Sequence, residues 1–462
     1  MSAPRAKQAL FLMLGLAAVL AWIGVRGAAK EATPAPIAFA VISDPHLYDT
    51  RLGISGHAFE ATVAQDVKMV AQSGVLLARA LELVAAQKPK PSFLLIAGDL
   101  THEGEASSHR LMASYLAGLR AQGIQPYVIP GNHDINNPAA SAYDQQGAHP
   151  VQGISAEEFA DIYAPFGYQQ AIARDPHSLS YIAEPVPGYW LFALDSCRYS
   201  EGNMLRIDAG RLRPESLKWL LGKLDEAREL GKQPLGMMHH GVLEHSLGQA
   251  QNFPDFVLKD GDSVGQSLAE SGLQLMFTGH THNQNITRKA WHENPALLDV
   301  QTGSLVTFPN PLRFVAIDPA RATLAIHTQR ILSLPGNTKT EHLNFSAASH
   351  AFTAALQSGI VAREMHQRST LPPSRHADLT AQIVSAAMAS YAGDERPTLG
   401  QFNAALKLRN SNHHDETAIG NLMISLWHDL PPNDNNVELR LDSLDASVNK
   451  LQPSPLQRQA AR

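Results

Sequence analysis

At 462 residues, with 44% hydrophobic and 17% charged side chains, the chain has room for two or three globular domains and is too apolar for a disordered protein. A formal net charge of −6 argues against a nucleic-acid backbone binder, which needs a basic excess to displace counterions. The single cysteine, Cys197, excludes internal disulfides, zinc ribbons and iron–sulfur clusters, so any metal is held by nitrogen and oxygen, for which 21 histidines are present.

Arg5 and Lys7 precede an uncharged apolar run from Ala9 to Val25, followed by the small residues Gly27, Ala28 and Ala29. Residues 1–29 therefore read as a signal peptide or N-terminal anchor. The expected location is periplasmic or extracellular, with residues 9–25 as the only membrane contact if the segment is retained. Glu31 to Pro36 then reads as a flexible entry to a folded domain.

Residues 37–335 alternate short apolar runs with helical patterns, the rhythm of a layered α/β domain. Strands are expected at Ile37–Ile42, Phe93–Ala97, Tyr127–Ile129, Tyr189–Leu194, Leu235–Met238 and Leu273–Phe277. Closing strands are expected at Leu297–Val300, Val315–Asp318 and Leu324–Thr328, and a helix at Val75–Ala86. Residues 135–187 read as a loop-rich insertion with one helical piece near Ala156–Tyr163. Beyond Pro335 the pattern changes. Residues 345–462 read as a separate helical domain, with helical periodicity at Ala348–Gln357, His376–Ala392, Thr398–Leu408 and Glu416–Asp429. Cys197, Trp190, Trp219 and Trp427 read as core residues, and His413-His414 as a solvated turn.

Five of the apolar runs end at once in polar blocks. These are Asp44-Pro-His46, Gly98-Asp99, Gly131-Asn132-His133-Asp134, His239-His240 and Gly279-His280-Thr-His282. Any one of them could be a turn, a helix cap or a surface pair. Five in this order, each behind a strand, point to one site beyond the strands' carboxyl ends. Asp44 and His46 are two residues apart and face the same way on extended chain, as do His280 and His282. Gly98, Gly131 and Gly279 allow tight turns beside a crowded site. Carboxylate, imidazole and amide oxygen form a hard-to-borderline donor set, suited to zinc, manganese, iron or cobalt, singly or in a pair sharing a carboxylate.

In content and order these blocks resemble those of the calcineurin-like metallophosphoesterases, over residues 37 to about 330. The stretches SDPHLYDTRLG, AGDLTHEGE and VIPGNHDINN, with the trailing helical domain, resemble exported bacterial members of cyclic-nucleotide phosphodiesterase type. The resemblance implies a β-sandwich flanked by helices, with two divalent transition metals (Mn, Fe or Zn) at its open edge. By motif position it assigns Asp44, His46 and His282 to one metal and Asp99 to both. Asn132, His239 and His280 would complete the second site, and His240 would shape the pocket. His133 matches the proton donor, with Asp134 a candidate to orient it. His102 stands where purple acid phosphatases carry a tyrosine, which implies no tyrosinate–iron colour; it either touches substrate or bonds a neighbour, the second being favoured.

The implied reaction is attack of a metal-bridging hydroxide on a small phosphodiester, cyclic nucleotides among the candidates. Only two of the seven ligands are anionic, so the loaded centre is positive and attracts a small anion. A phosphomonoesterase or nucleotidase would use the same ligands. A non-catalytic binding protein is opposed by the complete ligand set, and a nuclease by the missing basic stripe. The expected partner is a small phosphate ester, not a nucleic-acid polymer, and nothing in the pattern fixes an oligomeric state.

Overall fold

The computed structural model describes residues 34–201, 205–292, 295–334 and 345–444. The expected leader, residues 1–29, lies outside them. Among the described residues no helix is long and apolar enough to cross a membrane.

The strands in chain order are β1 (Ile37–Ile42), β2 (Phe93–Ile96), β3 (Gln125–Val128), β4 (Ser141–Asp144), β5 (Gly147–Pro150), β6 (Ala173–Arg174), β7 (Tyr181–Val186) and β8 (Tyr189–Leu194). They continue with β9 (Gln233–Met238), β10 (Leu275–Thr278), β11 (Asn285–Ala290), β12 (Ala296–Gln301), β13 (Pro311–Asp318), β14 (Thr323–Arg330) and β15 (Asn436–Arg440). One sheet has the order β15-β14-β13-β1-β2-β3, a second β11-β12-β10-β9-β8-β7-β6, and β4-β5 form a separate hairpin. The centre of each sheet is parallel, β1 with β2 and β3, and β8 with β9, β10 and β12. Antiparallel strands close both edges of the second sheet and one edge of the first, whose other edge is the parallel strand β3.

Strand β8 shows why these runs are apolar at every position. Tyr189, Leu191 and Ala193 enter the core between the sheets. Trp190, Phe192 and Leu194 enter a second core under the helices Pro214–Glu229 and Gly261–Glu270. A strand buried on both faces loses its alternation and reads as a continuous run. The two sheets meet at Phe39 of β1, which stacks on Phe93 of β2 at 4.6 Å and meets Phe277 of β10 edge-on at 5.3 Å. Helices Ser73–Ala86 and Ala106–Ala121 cover the outer face of the first sheet through Leu76, Leu77, Met112 and Leu116. The expected sandwich flanked by helices is therefore present.

Arg313 ties the layers together. It is fully buried on β13 and donates to the carbonyls of Gln301 (2.7 Å) and Asn285 (3.2 Å) in the second sheet. It also donates to the Asp434 carbonyl at 2.7 Å, fixing the returning C-terminal chain. Burial lowers its pKa to about 9, so the guanidinium keeps its charge at neutral pH.

Helices Phe345–Arg368, Pro373–Ala392, Leu399–Arg409 and His414–Leu426 form the expected helical unit around Leu379, Ile383, Phe402 and Met423. Beyond Leu426 the chain departs from the helical reading. β15 returns to the first sheet and pairs antiparallel with β14, from Thr323↔Arg440 to His327↔Asn436. The insertion also holds more strand than expected, namely the β4-β5 hairpin and β6-β7.

Candidate metal centre

The site is built where strands stop. Chain leaving β1, β2, β3, β9 and β10 turns at once and brings Asp44, His46, Asp99, Asn132, His133, His239, His280 and His282 together, all of them buried. Five have left-handed backbone, Asp44 (φ 49°), His46 (39°), Asp99 (48°), His280 (75°) and His282 (64°). Side-chain-bearing residues rarely adopt such conformations, and they cluster where function holds them. Neighbouring loops pin them: Asp44 N donates to the Gly98 carbonyl at 3.2 Å and His46 N to the Asp99 carbonyl at 3.0 Å. Two glycines matter for close approach. A Cβ on Gly131 would overlap the Asp99 carboxylate, and one on Gly279 would overlap the Ser43 hydroxyl beside Asp44.

One group comprises Asp44, His46 and His282. His46 Nε2 and His282 Nε2 are 3.1 Å apart, and His282 Nε2 is 3.6 Å from Asp44 Oδ1. Beside it, His239 groups with His240 and His280 and with Asp44 and Asp99, and Asp99 groups with His46 and His133. His239 Nε2 lies 3.0 Å from Asn132 Oδ1 and 3.4 Å from Asp99 Oδ2. The His239 and His280 ring centroids are 5.0 Å apart. Asp99 joins the His46 and His239 groups, because the same Oδ2 is 3.6 Å from His46 Nε2. All seven expected ligands thus converge.

The outward ring nitrogens are already committed. His239 Nδ1 donates to the Ala97 carbonyl at 2.8 Å and His280 Nε2 to the Asp255 carbonyl at 3.0 Å. This leaves Nε2 of His239 and Nδ1 of His280 as lone pairs for the cluster, the orienting arrangement that metal-ligating histidines use. Asn132 is oriented similarly, its Nδ2 donating to Asp208 at 3.0 Å while its Oδ1 faces His239.

The electrostatics call for positive charge. Burial pushes the His280 and His282 pKa values down to about 3 and holds His46 well below its usual value, so all three are neutral donors. Burial raises Asp44 to about 7; His239 opposes this shift and Asp99 adds to it. Burial would also raise Asp99, but the charges of His239 and His133 outweigh it and hold Asp99 well below the usual carboxylate range. Burial would lower His239, yet Asp99 outweighs it and lifts the imidazole to about 9. A proton between Asp99 and His239 thus fills the role a cation would take. The donor set, its fixed tautomers and this charge demand fit two divalent metals.

His133 completes the centre. Its Nε2 is 3.8 Å from Asp99 Oδ2 and its Nδ1 donates to the His102 carbonyl at 2.8 Å. Asp134 does not orient this ring. Its carboxylate accepts from the backbone of Gly131, Leu100 and Thr101 and from the Thr101 hydroxyl, at 2.8–3.0 Å, and so ties two ligand loops together. The group beside His133 Nδ1 is instead Glu103, at 3.2 Å. His240 lies beside His239 and His280; Ser196 Oγ donates to its Nδ1, and its Nε2 donates to the Asp208 carbonyl, both at 2.8 Å. His102 departs from the expectation that it bonds a neighbour. It is 4% exposed, and among the described residues neither ring nitrogen has a hydrogen-bond partner. The ring packs edge-on against Tyr48, and burial lowers its pKa to about 4.

The structure adds residues that the motifs do not reveal. Lys68 is 2% exposed, its Nζ lying 2.8 Å from Asp66 and 3.3 Å from His133 Nε2. Burial would lower its pKa, but Asp66, Glu103 and Asp99 outweigh it and keep it charged. Arg206 reaches Glu103 at 2.8 Å, Asp208 at 2.7 Å and His133 Nδ1 at 3.2 Å.

The sequence model of the family described as calcineurin-like phosphoesterase matches residues 37–284, more than half of the chain. A probable cyclic nucleotide phosphodiesterase of Synechococcus sp. is 26% identical over 196 residues, covering 42% of this chain and 58% of that protein. The chain thus spans less than two thirds of that relative's length. Among solved structures, a dimetal phosphatase from Danio rerio is 14% identical with a TM-score of 0.44, over 64% of this chain and 96% of that one. A purple acid phosphatase from yellow lupin (Lupinus luteus) seeds is 12% identical with a TM-score of 0.39, over 64% and 52%.

Metal binding here must expel protons. With His239 raised to about 9 and Asp44 to about 7, calorimetric Mn²⁺ titration at pH 7 in buffers of different ionisation enthalpy should show at least one proton released. Affinity should rise with pH through that range. Binding without proton release, or binding that strengthens in acid, would contradict the assignment.

Proposed function

The chain belongs to the calcineurin-like phosphoesterase family, and from that premise we propose that it hydrolyses small phosphodiesters at a dinuclear metal centre. Asp44, His46 and His282 would hold one cation, Asn132, His239 and His280 the other, and Asp99 both. Two divalent ions held there would polarise phosphoryl oxygens and lower the pKa of water.

The chain's own groups do the rest. His133 has Nδ1 fixed on the His102 carbonyl, so its Nε2 faces the Lys68 ammonium at 3.3 Å and Asp99 at 3.8 Å. Glu103 lies beside Nδ1 at 3.2 Å, across the ring from Lys68. His133 would give a proton to a departing alkoxide.

The charge balance beside His133 carries the diester reading. Lys68 is paired with Asp66, and Arg206 with Glu103 and Asp208. Neither cation is left over for the second negative charge of a phosphomonoester, whereas a diester carries one charge. The name of the Synechococcus relative supports the same class and makes cyclic nucleotides the first natural diesters to test. Export also belongs to this proposal; it rests on the leader pattern and is tested by cell fractionation.

Metal-stripped protein should be inactive. After Mn²⁺ loading it should cleave bis-p-nitrophenyl phosphate with higher kcat/KM than p-nitrophenyl phosphate. The reverse preference would overturn the diester reading in favour of a phosphomonoesterase. For His133→Ala, turnover of a diester with an alkyl leaving group should fall by about 100-fold or more. A nitrophenyl ester, whose leaving group needs no proton, should lose far less, and equal losses on both would remove His133 as the donor.

A further inference from the structure

A cavity of about 680 Å³ lies between the catalytic domain and the helical unit. One wall is the segment from Ser246 to Phe256. The other is made by helices Phe345–Arg368, Pro373–Ala392 and His414–Leu426. The cavity adjoins the metal centre, although no candidate ligand lines it. Phe256, on its wall, stacks on the His280 ring at 5.2 Å and 27°. Thr281, between two candidate ligands, and Asn283, one residue past the second, also line it.

Ile360, Met365, Ile419 and Leu422 make much of the helical wall. Phe253 and Phe256 face them, 38% and 41% exposed, an unusual display of aromatic surface beside a polar centre. Most of the polar side chains on the walls are engaged, the O–H donors of Ser246 and Thr281 apart. Tyr391 donates to Gln357 at 3.1 Å, Asn283 to Ser390 at 2.9 Å, and Ser369 to Asp415 at 3.0 Å. Gln249 accepts from His245 N at 2.7 Å and donates to the Phe256 carbonyl at 3.2 Å. Glu364 and Arg368 pair at 3.0 Å and are half or more exposed. A nucleobase entering here would bury several donors and acceptors with few wall groups to meet them, which is costly. A hydrocarbon chain has no such groups, and a mostly apolar cavity of this size suits one.

We propose that this cavity receives an alkyl or acyl chain carried by the phosphoester, which makes the substrate a phosphodiester with a long apolar substituent. The helical unit is then the element that selects it. The inference rests on the phosphoesterase reading and narrows its substrate class.

The test uses the full Mn²⁺-loaded chain with methyl and octyl 4-nitrophenyl phosphate, which share charge and leaving group, below the micellar concentration. The octyl ester should have a kcat/KM at least about tenfold higher. In parallel, calorimetry with methyl and octyl phosphate should show the same preference in Kd. Ile360→Trp and Leu422→Trp, each confirmed folded by circular dichroism, should bring both ratios to about one. No chain-length preference in either measurement overturns the proposal and leaves the phosphodiesterase reading standing. A preference that survives both tryptophan variants also overturns it, because the chain then binds elsewhere. Preferential octyl phosphate binding, abolished by the variants but without diester cleavage, upholds the cavity and overturns the diester reading. Cleavage of phospholipid in vesicles would mark a membrane as the source of the chain, and cleavage of the monomeric ester alone a soluble one.

Discussion

The Asp99 carboxylate is the constraint on which the rest depends. It is 1% exposed, and one oxygen stands between His46 and His239 while the other accepts the His133 amide. A second buried carboxylate, Asp44, lies in the same centre among neutral imidazoles. Two such anions in a dry interior are tolerable only with matching positive charge. Protons on His239 can supply part of it, and metal cations supply it better, since they also satisfy the converging lone pairs. The charge that makes the centre expensive to bury is thus the property that lets it bind metal.

Holding those lone pairs in place needs a rigid frame. The strands that deliver the ligands are covered on both faces, so their ends cannot shift without disturbing two cores. Short turns then place the side chains, five of them on left-handed backbone. Asp134 fastens the loop after β2 to the loop after β3, although its own side chain does not touch the His133 ring. Arg313 and β15 bind the C-terminal chain back to the sandwich. The helical unit is therefore anchored at its far end and can form a wall beside the centre.

Much of this was legible in the sequence. Buried strands leave unbroken apolar runs, and Ile37–Ile42 and Tyr189–Leu194 emerge with the expected bounds. The ligands follow those runs directly, so their positions could be read from order and spacing. Helices such as Pro214–Glu229 were less visible, because only a narrow stripe of Leu220, Leu224 and Ala227 is fully buried among charged residues. Lys68 and Arg206 had no local signature. Their importance comes from contacts across 65 and 73 residues of chain, to a histidine on another loop. Strand β15 was hidden for a related reason: alternating Val437 and Leu439 is a short pattern, and its partner β14 lies more than a hundred residues earlier. The role expected for Asp134 failed because sequence adjacency to His133 says nothing about which way a carboxylate turns in a tight loop.

The most direct test of a shared carboxylate between two cations is anomalous diffraction from crystals of the Mn²⁺-loaded protein. Two anomalous peaks are expected on opposite sides of the Asp99 carboxylate, one also touching Asp44, His46 and His282 and the other Asn132, His239 and His280. A single peak at full loading, or two peaks of which one does not contact Asp99, would contradict the shared carboxylate.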